Sequence, residues 1–421
     1  MSTIAFLVIR YLCFYIRKEN SAFVILLVLF SCSYLFQFLV GRSIEYYGLV
    51  SILNMIFIFL NLAFLVNPWK HARIKEIIVK DKTSLKFFKK FLYVVLTVNL
   101  IVNAYIMFIV LIFMPDIAEF KAAEGFLKLY EAIPYFGNVF RYAYVSQNFG
   151  YLAIPIFFYH LKNREFSKST IAIVMASSSL LSGVAFYSRA QIFTFCVVFT
   201  VYFFLIKGAL PILVKKRVYS VLRKVLVLIM SVFIVITVKR FSAMDYYGDR
   251  IPNNSVIRNP IVFSLFDYAS QGFSNGYDQL AKYHESKNLH GEQLFRDFYQ
   301  ILNFVGILDW NVKESQLMVD TAYGFDGGAF KGYAAQMVYN CGYITTLLVS
   351  VLYSLLVSVK LKGKEIVTFL SSLELILLLF IPVVSIFYMG YQILFLPLLF
   401  LYGISLLYRF IKLLFIQKNY S

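Results

Sequence analysis

Charged side chains are scarce in this sequence, only 15% of its 421 residues, where an ordinary soluble domain carries about a quarter. With 60% of residues hydrophobic, one aqueous core cannot hide the apolar surface, so lipid must act as solvent for much of the chain. Cysteine is scarce too. Cys13, Cys32, Cys196 and Cys341 all lie in or beside apolar segments, which argues against a disulfide framework or a zinc site. No phosphate-cradling P-loop, Rossmann glycine fingerprint, zinc-type histidine pair or serine elbow occurs, which removes the common soluble enzyme classes. No cleavable signal peptide is expected either. The first sixteen residues carry Arg10 mid-run and lack a small-residue cleavage site before Arg17 and Lys18, and they read as a cytoplasmic-side amphipathic helix or a short extra span.

What is present is a succession of apolar segments near the roughly 17–25 residues that cross a bilayer. They fall at 21–40, 48–66, 91–114, 145–161, 170–187, 190–206, 222–238, 333–359, 366–388 and 391–408. The expected fold is an all-α integral membrane protein, a single polytopic domain over 1–421 with about ten (10–12) transmembrane helices. Basic residues set its orientation. The short connections assigned to the inside hold 25 Lys and Arg against five acids, while the outer segments hold 14 against 16. This positive-inside asymmetry places both termini in the cytoplasm. It also accounts for the net charge of +18 without a nucleic-acid partner. Two outer loops stand out, a medium one at 115–144 and a large one at 239–332. Loops this long are usually functional or disordered, and the second is too aromatic and patterned for disorder. Within it Leu294, Phe295, Phe298, Ile301, Leu302 and Val305 recur at helical spacing, with Arg296, Gln300 and Asn303 on another face. This predicts a short amphipathic helix along the membrane surface.

Candidate chemistry gathers at the outer face. Arg189 occupies a tight turn (Tyr187, Ser188, Arg189, Ala190, Gln191) between two apolar segments. There its planar fork of donors suits a diphosphate headgroup, or simply snorkels to lipid phosphate. Lys239 and Arg240 close an apolar helix on the side where positive charge is disfavoured, as a site or as a lipid anchor. Arg296 and Asp297 form either part of a site or an exposed ion pair. His284 and His290 are the outer histidines and can serve as a base near neutral pH, or be merely solvated. Asp245, Asp267, Asp297 and Asp326 compete for that role. Glu374 lies inside a span beside Ser371 and Ser372, either functional or hydrogen-bonded to a neighbouring helix. The glycine-rich stretch 323–332, with Asp326, permits tight turns close to a ligand or ends the loop. Arg42, on another outer connection without such context, is expected to tolerate alanine.

Three stretches resemble the Wzy-type O-antigen and oligosaccharide repeat-unit polymerases. The turn Ser188, Arg189, Ala190, Gln191 is similar to the Thr/Ser-Arg turn opening a late span in that family. Lys239, Arg240 and Phe241 stand at the mouth of the large loop. Gly291 followed by Arg296, Asp297, Phe298 and Tyr299 is similar to a stretch of the enterobacterial common antigen polymerase. Gly332 and Tyr339–Tyr343 look like the family's entry into the following span, but with Asn340 and Cys341 where Asp-Phe is frequent. The resemblance implies a glycosyltransferase of the bacterial inner membrane. It would move a growing glycan from undecaprenyl diphosphate onto a lipid-linked repeat unit, without a cofactor or metal and with a chain-length co-polymerase as a possible partner. On this reading Arg189, Arg240, Arg296, Asp297 and His290 carry the chemistry, and Lys239, Gly291, Tyr299 and Asp326 bind substrate. An O-antigen ligase shares the donor and the large loop. A flippase or other transporter would show charges through several spans and repeat symmetry. A membrane O-acyltransferase would need a histidine deep in a helix, whereas His160 ends one.

Overall fold

In the computed structural model, residues 21–42, 49–113, 146–185, 189–220, 251–284, 288–304, 306–309 and 330–418 are described, with scattered positions between 223 and 235. Long helices dominate: α1 (Ser21–Leu39), α2 (Leu49–Val66), α3 (Lys82–Phe113), α4 (Ala153–Lys162), α5 (Phe166–Ala185) and α6 (Arg189–Ile206). They are followed by α7 (Pro260–Lys282), α8 (Arg296–Phe304), α9 (Gly332–Leu361), α10 (Phe369–Val384) and α11 (Tyr391–Lys418). Among the described residues, seven helices are long and apolar enough to cross a membrane. Their burial follows from lipid as solvent. Leu62, Leu96, Val357 and Leu401 face the bundle interior, while Leu53, Ile101, Leu352 and Leu406 remain exposed on the same four helices.

Several expected spans differ in detail. The segment expected at 145–161 is a 3₁₀ turn (Gln147–Leu152) feeding the ten-residue α4. The segment at 366–388 begins as a strand and supplies only the 16-residue α10. That strand, β2 (Ile366–Thr368), pairs in parallel with β1 (Glu76–Ile78) in a small ladder the periodicity did not predict. The ladder marks one end of the bundle, the strand end. Three of its acids are engaged there: Glu365 with Lys75 at 2.7 Å, Glu165 with His160 and Lys168, and Asp81 with Tyr408 and Lys412. The expected span 222–238, the loop 115–144 and residues 1–16 lie wholly or mostly outside the described residues.

The greatest departure is at the opposite end, the loop end. The span expected at 333–359 is not one rod. Gly342 has φ 77° and ψ 170°, which breaks α9 into two limbs. Tyr333 Oη lies 2.8 Å from Ser350 Oγ, whereas seventeen residues of straight helix would separate them by about 25 Å. The short limb therefore folds back along the long one. Facing it, α10 stops at Val384 and the chain runs without helix to Gly390 before α11 begins. The two irregular stretches satisfy each other. Phe387 O accepts from the Lys331 and Gly332 amides at 3.2 and 3.0 Å, and Tyr333 N donates to Ser385 O at 2.9 Å. Non-helical backbone inside an apolar bundle survives only with such partners.

Candidate functional site

Helix α7 is the element that positions the site. Read from sequence as part of a large outer loop, it packs against α1, α2 and the short limb of α9. Asn259 caps its first turn, accepting from the Ile261 and Val262 amides, and Pro260 occupies the first turn. Its contact face carries two glycines four residues apart. A Cβ on Gly272 would lie 1.6 Å from Ile386 O, and one on Gly276 would lie 2.6 Å from Lys331 O. This small-xxx-small spacing brings α7 against both irregular stretches.

Beside that contact, Arg42 reaches α7 from the end of α1. Its Nε donates to Asp267 Oδ1 at 2.5 Å, and Nη1 donates to Asn275 Oδ1 at 2.8 Å and Ser274 Oγ at 3.3 Å. Gln271 Nε2 donates to the other Asp267 oxygen at 2.9 Å. Asn275 Nδ2 donates to Phe330 O at 3.0 Å and so links the cluster to the glycine-rich entry of α9. An adjoining cleft is lined by Ile58, Leu62, Gly272, Phe273, Lys331 and Tyr333. Lys331 is buried. Arg42, expected from sequence to tolerate alanine, is held by three side chains of α7. Ser274, within the stretch 239–332 read from sequence as an outer loop, is buried in a helix. The signal for this site was the Gly272/Gly276 spacing downstream of Asp267 and the single cation Arg42 ending a span.

The predicted residues are distributed as follows. Arg189 is the first residue of α6. One turn later Phe193 meets Phe387 edge-on, and Phe387 also packs on Phe330 and Tyr268. The start of α6 is thus joined through aromatic rings to the residues flanking Asp267. Beside it lies a second buried polar cluster: Gln147 accepts from Ser179, Ser182 and Gln191, while Ser178 Oγ and Thr194 Oγ1 are buried without a hydrogen-bond partner among the described residues. Arg296 and Asp297 open α8, as the amphipathic pattern predicts. That helix leans on α11 through Phe295 and Phe298 against Phe395. His290 and Gly291 form its approach in left-handed backbone, φ 48° and 83°. Asn340 holds this approach, accepting on its backbone oxygen from Gly291 and on Oδ1 from Gln293 and Leu294. Asn340, the departure from the resembled family, is thus a clamp. Tyr299 is half-buried on the same short helix. The approach and the Arg42 pair sit towards opposite ends of α7, because Gln279 and Leu280 accept from Tyr339 and Tyr343. Thirteen residues of helix separate Asp267 from Leu280, about 20 Å. Lys239, Arg240 and Asp326 lie outside the described residues.

Glu374 is hydrogen-bonded to neighbouring helices, to Lys360 and, at 2.6 Å, to the Tyr402 hydroxyl. Among the described residues no three His, Cys, Asp or Glu side chains gather as metal ligands. No family model, curated protein or solved structure matches this chain.

Proposed function

We propose that this protein is a glycosyltransferase of the O-antigen polymerase type. It transfers a growing glycan from undecaprenyl diphosphate to a lipid-linked repeat unit at the outer face of the bacterial inner membrane. The proposed topology has about ten spans, the strand end and both termini in the cytoplasm and the loop end outside. One observation supports this reading most. A guanidinium and a carboxylate, Arg42 and Asp267, meet at the loop end beside a largely apolar cleft containing Lys331. Cations suit the diphosphate that must leave. In the reaction the acceptor hydroxyl oxygen bonds to the donor's anomeric carbon, the bond to diphosphate breaks, and its electron pair departs on the phosphate oxygen. The hydroxyl proton needs a base. Asp267 is the carboxylate the described site provides, which ranks it above the other acids weighed from sequence. Arg189, whose helix begins beside the same aromatic rings, is assigned to the departing diphosphate.

The breaks at Gly342 and at 385–390 favour a second reading, a lipid-linked oligosaccharide transporter, because interrupted helices build the binding sites of many transporters. Proteoliposomes carrying the full chain and a lipid-linked repeat unit separate the readings. Polymerase activity gives lipid-linked glycans that lengthen by whole repeat units. Transfer only when lipid A core is supplied means a ligase. Movement of substrate between leaflets without lengthening means a transporter, and either of these results overturns the proposal.

A further inference from the structure

We infer that the Arg42–Asp267 ion pair is a latch that a prenyl diphosphate opens by drawing the Arg42 guanidinium onto its phosphates. The inference rests on the function proposed above and specifies how that site is loaded. The pair is placed so that only its guanidinium has room to move. The main chain before it is fixed: Gly41 turns at φ +70°, where a Cβ would lie 2.6 Å from Asn254 Oδ1 and 2.7 Å from Ser255 N. Val256 N donates to Leu39 O at 3.0 Å, tying the end of α1 to the stretch that leads into α7. The side chains are not sealed. Arg42 keeps 28% of its side-chain surface exposed and Asp267 keeps 15%. A ligand can therefore approach the pair without unpacking the bundle.

The exchange is chemically balanced. A diphosphate offers the planar fork two oxygens of higher charge than one carboxylate oxygen. Asp267 does not lose every partner when Arg42 turns, because Gln271 still donates to Oδ2. Asn275 loses its guanidinium donor but retains Phe330 O as its acceptor, so the change reaches the backbone beside Lys331 and Gly332. Loading the donor thus frees the carboxylate assigned as base in the same event, and an empty site keeps that carboxylate occupied.

A latch and a purely structural ion pair predict opposite signs for one substitution. Removing the competing carboxylate in D267N leaves Arg42 available, so a latch binds diphosphate more tightly, whereas a structural pair binds equally or less well. The measurement is retention of radiolabelled geranylgeranyl diphosphate by the full chain purified in detergent. Geranylgeraniol tests the tail alone, and inorganic diphosphate tests the headgroup alone. D267N is expected to tighten geranylgeranyl diphosphate binding about fivefold, R42A to weaken it at least tenfold, and the double variant to match R42A. Should D267N prove poorly folded, D267S repeats the comparison. Binding by the aspartate variants that is equal to or weaker than the parent overturns the latch while leaving the proposed function standing. Retention of the alcohol as strongly as the diphosphate overturns it too. Failure of the parent protein to retain any prenyl diphosphate overturns both.

Discussion

A charged residue in a low-dielectric bundle is tolerated only with its partner in place, and Glu374 illustrates the rule. Lys360 and the Tyr402 hydroxyl both donate to it, and 10% of its side chain is exposed. Glu374→Ala strips two donors of their acceptor and should cost about 2–4 kcal/mol, the lower part of the range for a broken buried pair because Lys360 is partly open. Glu374→Gln keeps an acceptor oxygen and should cost less than half as much. Thermal unfolding of the detergent-solubilised variants checks the order, and equal losses would assign the effect to packing. At Arg189 the expectation concerns rate. Arg189→Ala and Arg189→Lys should insert normally yet lose polymerisation, by about 2–4 kcal/mol of transition-state stabilisation, or roughly a hundred- to a thousand-fold. Arg258, whose guanidinium donates to Pro252 O and Asn253 O at the same end, is the control in place of Arg42. Normal glycan length from a well-expressed Arg189→Ala protein removes this residue from the site. Single residues were thus unevenly legible. Arg189 is conspicuous because it is a lone charge in a tight turn between apolar segments. Asp267 is one of many acids in a polar stretch, and only folding selects it.

At the level of elements, the long apolar helices are legible because lipid demands an unbroken run of apolar side chains. Helix α7 is not, because its sequence alternates serine, asparagine, aspartate and glycine. It is buried by close backbone approach and hydrogen bonding, which hydropathy does not register. This makes its glycines a sharp test. Gly272→Ala puts a methyl group where Ile386 O already sits and should destabilise by ~3 kcal/mol or more. Gly403→Ala on α11 meets nothing within 4 Å and should instead stabilise by about 0.5–1 kcal/mol through helix propensity. Paired melting curves decide, and equal shifts would deny α7 its close approach. The strand end carries a separate acid-sensitive element. The Ser84 amide above all, with the Tyr408 hydroxyl and the Thr83 amide, holds the Asp81 carboxyl below its ordinary range at the start of α3. Hydrogen bonds from Lys168 and His160 do the same for Glu165. A carboxylate with a depressed pKa stabilises the fold above its unfolded value, and that contribution is lost as pH falls through the folded one. Acid should therefore loosen the strand end below the usual carboxylate range. Asp81→Asn and Glu165→Gln should flatten that part of the pH–stability curve.

The whole molecule ties its ends together in ways that restrict its passage through a membrane. Pairing of β1 with β2 keeps residues 76–78 and 366–368 on one side, whichever side that is. Gly208 lies against Ile74 O at that same end, whereas Val256 is bonded to Leu39 at the other. The chain therefore passes from the strand end to the loop end between them. Charge is the basis for the proposed orientation, with the strand end in the cytoplasm. The connections gathered at the strand end belong to the set with 25 Lys and Arg against five acids, and three of the four acids described there, Asp81, Glu165 and Glu365, are paired with cations. An excess of positive charge remains, and translocating it would be unfavourable. Cysteine accessibility tests the orientation, using replacements chosen from the fold. Asn253 is exposed at the loop end and Lys364 at the strand end, whereas Ser274 is too buried to report. In a background lacking the native cysteines, a membrane-impermeant maleimide should label Asn253→Cys in intact cells. It should label Lys364→Cys only after the membrane is opened. The reverse pattern inverts the molecule and places Arg42 and Asp267 in the cytoplasm, where a lipid-linked glycan polymerised outside would never meet them.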